Sequence, residues 1–141
     1  MLVSTRGRYA LRVLIDLAEH NNGTYIPMKD VAERQDISLK YLERIMPSLT
    51  KAKIIEGVHG KGGGYRLTRD PSEITVFEIL ELTEESLAPV GCLVEGAPPC
   101  PKVGECKTVG MWNGLYSTMK EYLTGFTVAD LAKPSEYEYI I

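Results

Sequence analysis

Six consecutive residues, His59-Gly60-Lys61-Gly62-Gly63-Gly64, constrain the fold of this chain more than any others. So glycine-rich a run loses too much backbone entropy to sit inside a helix or strand. It is flanked by Ile54-Ile55-Glu56-Gly57-Val58 and Tyr65-Arg66-Leu67-Thr68, two short runs of strand-forming residues. The three pieces together predict a β-hairpin with a long flexible tip. A phosphate loop would end in Lys-Ser/Thr and lead into a helix. This run does neither, which argues against nucleotide binding.

What precedes the hairpin is helical. Ser4 or Thr5 caps a first helix to about Glu19, with Tyr9, Ala10, Val13, Leu14, Leu17 and Ala18 at helical spacing. Arg8, Arg12, Asp16 and Glu19 are read as its solvent face, and His20 as its C-terminal cation. Tyr25-Ile26-Pro27 is an extended link. Met28 to Arg34 is a short helix, Gln35-Asp36-Ile37 a tight turn, and Ser38 the cap of a third helix to about Ala52. Leu42, Ile45, Met46 and Leu49 line that helix's inner side. Pro47 removes one of its backbone bonds and predicts a bend. Helix, turn, capped helix and glycine-tipped hairpin follow in the order of a winged helix-turn-helix.

Charge agrees with that order. Residues 1–69 carry 12 Lys/Arg against 7 Asp/Glu, a net +5, whereas residues 70–141 carry 4 against 12, a net −8. The basic half is the part suited to a polyanion. On the capped helix, Glu43 can accept from cytosine N4, and Ser38, Lys40 and Tyr41 can meet bases or phosphates. The tip residues His59, Gly60 and Lys61 have little bulk and can approach the DNA backbone or minor groove. Arg6 and Arg8 can add phosphate contacts. Tyr9 and Arg44 complete the candidate DNA-contacting set. A winged helix that binds only protein is the alternative.

Beyond the hairpin, Thr75 caps a helix from Val76 to about Glu81, with Phe77 and Leu80 inward. Residues 86–107 then lose helical periodicity and become rich in proline and glycine. Cys92, Cys100 and Cys106 lie there with C-x7-C-x5-C spacing. Thiolates suit zinc or an iron–sulfur cluster, although the spacing is not that of a zinc ribbon and three ligands are one short of four. Three unremarkable thiols, or one disulfide, are the alternatives. A long helix from Val109 to Phe126 follows, with Met111, Trp112, Leu115, Met119, Tyr122 and Leu123 as an apolar stripe. Val128–Leu131 forms a last short turn, and the tail Tyr137-Glu138-Tyr139-Ile140-Ile141 is apolar.

The expected fold class is therefore mainly α: a winged helix-turn-helix with a small hairpin wing and a long C-terminal helix. Three segments are expected, 1–85 for DNA binding, 86–107 as a cysteine-bearing loop, and 108–141 as the long helix and tail. Apolar residues make up 44% of the 141, enough for a real core, and no apolar run approaches a membrane span. The N-terminus has no apolar signal region, so the expected location is the cytoplasm. With two histidines far apart and no nucleophile–base pair or cofactor fingerprint, an enzyme is not expected.

Four motifs together resemble one family. Ser4-Thr5-Arg6-Gly7-Arg8-Tyr9-Ala10-Leu11, Ser38-Leu39-Lys40-Tyr41-Leu42-Glu43, Gly60-Lys61-Gly62-Gly63-Gly64-Tyr65, and the cysteine loop followed by Met111-Trp112 are similar to the Rrf2 family of bacterial winged-helix transcription regulators. The closest likeness is to its iron–sulfur cluster regulators, with less to its nitric-oxide sensors and its repressors of cysteine metabolism. The resemblance implies a homodimer built on the long helix, reading a pseudo-palindromic double-stranded DNA operator. It implies that Ser38, Lys40, Tyr41 and Glu43 read DNA and that Cys92, Cys100 and Cys106 ligate an iron–sulfur cluster, 2Fe–2S ahead of 4Fe–4S. It also admits a protein partner from cysteine or iron–sulfur metabolism. The rival within the family is a cluster-free thiol or partner-dependent regulator of cysteine metabolism.

The chain departs from the family pattern in four places. Val109 stands where a histidine follows the third cysteine, and Arg8 where an acidic residue can serve as ligand. The first cysteine gap is two residues longer than the commonest spacing, and His59 replaces a common arginine in the wing. The fourth ligand is thus left open.

Overall fold

Side-chain caps start most of the helices, because a hydroxyl placed just before a helix satisfies one of its free N–H groups. In the computed structural model, which describes residues 3–102 and 104–133, Ser4 caps α1 (Thr5–Glu19) and Ser38 caps α3 (Leu39–Lys51). Thr75 caps α4 (Val76–Thr83), and Thr127 makes a capping box with Asp130 at α6 (Val128–Ala132). α2 (Met28–Gln35) starts after Pro27, and α5 (Val109–Thr124) after Thr108, neither with a side-chain cap. The long helix ends two residues before Phe126, since Thr127 begins a new helix. The apolar tail Tyr137–Ile141 lies outside the described residues.

The turn between α2 and α3 is built by Asp36, which adopts the left-handed backbone at φ 53°. It lets the Ile37 N–H reach back to the Ala32 carbonyl at 3.0 Å while the Ile37 side chain is buried. Lys53, at φ 60°, ends α3 similarly, with the Ile54 N–H on the Leu49 carbonyl. α3 runs through the exposed Pro47.

The wing pairs β1 (Ile55–Val58) with β2 (Gly64–Leu67) in antiparallel register, from Ile55 opposite Leu67 to Val58 opposite Gly64. A third, single-residue rung was not foreseen: Ile26 and Tyr65 exchange backbone hydrogen bonds of 2.8 and 2.9 Å. The link before α2 thereby becomes the edge of the sheet. Gly64 is required there: a Cβ on it would stand 2.2 Å from the Ile26 carbonyl oxygen, and its φ is +150°. Across the ladder, Arg66 binds Glu56 at 2.6 Å, donates to the Gly23 carbonyl, and lies over the Tyr25 ring.

The main core joins α1, α2, α3 and β1 through Val13, Leu14, Leu17, Val31, Leu42, Ile45, Leu49 and Ile55, all fully buried or nearly so. A second cluster, Val76, Leu80 and Leu87 with Phe77, Leu123 and Phe126 against it, seats α4 on the end of α5. The N–H groups of Val76 and Val128 bond the Phe126 and Ile74 carbonyls, tying the α5–α6 junction to the start of α4.

Asp16 corrects the sequence reading. It is not on the solvent face but wholly buried. Its carboxylate accepts from Arg34 Nη2 and Nε at 2.7 and 3.0 Å and from Gln35 Nε2 at 3.0 Å. Burial by itself raises a carboxyl pKa. The hydrogen bonds from Arg34 and Gln35, with the Arg34 charge, outweigh it and hold Asp16 below the usual carboxylate range. One turn earlier, Arg12 donates to both the Gln35 carbonyl and its side chain. α1 thus grips the last turn of α2, just ahead of the turn into α3. His20 ends α1 as expected, with Nδ1 2.8 Å from the Asp16 carbonyl.

Candidate nucleic-acid interface

Capping determines which part of α3 faces outward. Ser38 uses its hydroxyl oxygen on the Tyr41 N–H at 3.1 Å, and with Leu42, Ile45, Met46 and Leu49 buried, Lys40, Glu43 and Arg44 must point away from the core. Ser38, Lys40, Tyr41 and Arg44 line one shallow groove. Among the described residues Lys40, Glu43 and Arg44 form no ion pair, so their charges are available to a ligand. A helix with this exposed polar face, standing next to a hairpin, has the geometry that enters a major groove.

The wing carries His59, Gly60 and Lys61, all exposed. Gly60 and Gly62 have φ of +92° and +78°, and the Gly63 N–H closes the tip on the Gly60 carbonyl at 3.0 Å. His59 lies in a shallow hollow with Thr50 at the end of α3 and Tyr65 on β2. The wing tip and α3 therefore adjoin.

The start of α1 divides the remaining candidates. Arg8 is exposed, with Nη2 on the Thr5 hydroxyl at 3.1 Å. Arg6 lines a groove with Tyr41 and Arg44, but its Nη2 donates to the Thr83 carbonyl at the end of α4, 2.6 Å away. Tyr9 is half-buried and meets the Tyr41 ring edge-on at 5.4 Å, with the Arg12 guanidinium 5.2 Å from its own ring. The structure thus brings Arg6, Tyr9, Tyr41 and Arg44 together. Sequence reasoning missed Asp16, Arg12 and Glu84 as the residues that hold this face in place. The i,i+4 pair Asp16–His20 was a legible signal for the first. Nothing local signalled the others.

The cysteines lie on the segment joining α4 to α5. Cys92 is exposed on a 3-10 turn (Gly91–Leu93), Cys100 is half-buried and Cys106 exposed, and all three are free thiols. Hydrogen bonds from the Thr108 hydroxyl and backbone N–H, and from the Val109 N–H, lower the Cys106 pKa, favouring its thiolate. Three thiols are a donor set of the chemistry an iron–sulfur cluster takes. Among the described residues they are not gathered with other side chains into a ready metal-binding group.

Fold and exposed face define a winged-helix DNA-binding transcription regulator. Over residues 3–134 the chain matches the Rrf2 family, described as an iron-dependent transcriptional regulator, and it belongs to that family. It is 35% identical over 136 residues to the HTH-type transcriptional regulator IscR of Vibrio atlanticus, spanning 96% of this chain and 78% of that one. The solved structure of T. potens IscR superposes with a TM-score of 0.73 at 32% identity, covering 93% of this chain and 85% of the other. CymR, the global cysteine regulator of B. subtilis, superposes with a TM-score of 0.75 at 30% identity over 94% and 96%. These relatives are transcription regulators, not enzymes. No helix among the described residues is long and apolar enough to cross a membrane.

Proposed function

We propose that this chain is an IscR-like regulator that reads a double-stranded operator as a homodimer, and that an iron–sulfur cluster on Cys92, Cys100 and Cys106 modulates that reading. Residues 1–85 bind DNA, 86–107 sense, and 108–141 pair the protomers. Ser38, Lys40, Tyr41, Glu43 and Arg44 address bases and phosphates from α3. Tyr9 backs Tyr41, and His59, Gly60, Lys61, Arg6 and Arg8 address the flanking backbone.

The observation that carries the reading is the position of the three free thiols, on the one segment that leads from the winged helix to the long helix. A cluster there supplies a redox-sensitive crosslink of that segment, of the 2Fe–2S type ahead of 4Fe–4S. The homodimer is supported by α5, which buries no residue within its own chain and exposes Met111, Leu115 and Tyr122 at 58, 42 and 65%.

Anaerobic purification with iron and acid-labile sulfide counts tests the reading. Both elements present, and lost in Cys100→Ala, is the expected result. The likeness to CymR and the presence of Val109 in place of a histidine favour a second reading, a cluster-free thiol or partner-dependent regulator. A colourless protein that resists reconstitution with iron and sulfide, yet binds DNA in a thiol-dependent way, would select it.

A further inference from the structure

The cysteine segment and the recognition groove meet through one carboxylate. Glu84, the residue that ends α4, accepts from the Ser4 N–H through Oε1 and from the Ser4 hydroxyl through Oε2, both at 2.5 Å. Ser4 is the cap of α1, and its hydroxyl oxygen in turn holds the Gly7 N–H at 3.0 Å. Beside it, Arg6 is drawn onto the Thr83 carbonyl. Gly7 is buried so closely on α4 that a Cβ there would stand 2.9 Å from the Thr83 hydroxyl and 3.3 Å from Glu84. The first turn of α1 is thus locked to the last turn of α4.

Both sides of the lock lead somewhere. On one side, Ser4 and Arg6 line the groove that contains Tyr41 and Arg44 of the recognition helix. On the other, Glu84 lines a second groove with Val94 and Glu95, which lie two and three residues beyond Cys92, and with Tyr116 of α5. Glu81 and Glu85 line that groove as well, so among the described residues the Glu84 carboxylate has like charges near it on that side and its hydrogen-bond donors at Ser4.

We propose that Glu84 is a positioning residue that couples the cysteine segment to the DNA face, holding Ser4, and with it the first turn of α1, when that segment is in the conformation seen here and releasing it when it changes. Arg6, which already lines the groove with Arg44, is then loosened from the Thr83 carbonyl, and its guanidinium is free to meet a ligand there. The proposal rests on the reading of the cysteines as the sensor, but not on the identity of what they bind.

The test is hydrogen exchange on the full-length chain, before and after alkylating the thiols with N-ethylmaleimide. The expected result is that the protected amides of Ser4, Gly7 and Arg8 exchange about tenfold faster after alkylation, the factor that corresponds to losing one charge-assisted hydrogen bond. In Glu84→Gln they exchange fast already and alkylation adds nothing. Unchanged exchange in the alkylated native chain overturns the proposal without needing a variant. So does a Glu84→Gln chain, folded by circular dichroism, that still responds to alkylation. Fluorescence anisotropy of the native chain on a duplex selected from a randomised pool is run alongside. Failure to bind that duplex counts against the DNA-binding reading, whereas binding with uncoupled exchange counts against Glu84 alone.

Discussion

Asp16→Asn removes one charge from the interior and almost no volume, and its cost can be worked from the geometry. The carboxylate is fully buried and receives three hydrogen bonds, two from the Arg34 guanidinium and one from Gln35. An amide presents one oxygen and one NH2 to those donors, so at least one contact becomes donor against donor. Breaking a buried charge pair costs about 3–5 kcal/mol when the partner stays buried. The Arg34 side chain is 35% exposed, so water takes up part of its unpaired charge, and about 2–3 kcal/mol is expected. For a chain of this length that corresponds to a melting point lowered by about 6–12 °C. Urea denaturation at fixed protein concentration is the assay, since dimerisation would otherwise shift the midpoint.

The pH dependence provides a second arm. The Asp16 pKa in the folded chain lies below its value in the unfolded chain. Its contribution is therefore fully present above the ordinary carboxylate range and is lost as the pH falls through the folded value. The native chain and Asp16→Asn should differ most near neutrality and converge in acid. A variant within 0.5 kcal/mol of the native chain at neutral pH, an order of magnitude taken from ordinary surface substitutions, would refute the account of Asp16 as the clamp between α1 and α2. A gap that persists unchanged into acid would refute the charge argument.

Other outcomes follow from the same geometry. Glu43→Ala should relax discrimination at one operator position by about 1–3 kcal/mol, whereas Arg44→Ala should weaken all sequences alike and lower the salt slope by about one, both read by anisotropy across a duplex panel. Equal losses on every sequence from both would place Glu43 outside base reading. Gly64→Ala forces a methyl onto the Ile26 carbonyl and should destabilise by more than about 2 kcal/mol in urea denaturation, with loss of protection at the Ile26 amide. A near-neutral effect would show that the Ile26–Tyr65 rung can open without cost.

Element boundaries were largely legible because they are local. A hydroxyl at Ser4, Ser38, Thr75 or Thr127 acts on an N–H three residues ahead, and the glycines of residues 60–64 act on their own torsions. The exposed face of α3 followed from its buried face for the same reason. The hairpin's two strands were visible in their residue types. Its third rung was not, since Ile26 meets Tyr65 from 39 positions away in sequence and carries no pattern of its own.

The sequence by itself determined the order of the elements, the exposed face of α3 with Lys40, Glu43 and Arg44, and the placing of the three thiols in the one link between α4 and α5. Only the tertiary structure decided what the polar side chains around that face do. Periodicity assigns a charged residue to solvent, and on an isolated α1 Asp16 and Arg12 would lie there. α2 folds back over them, and Arg34 and Gln35 supply the donors that make burial of the carboxylate favourable. In the same way Ser4 and Glu84, 80 residues apart, become neighbours only because Gly7 lets α1 close onto α4. A charge is buried or free according to which donors reach it, and those donors come from elements that sequence pattern does not bring together.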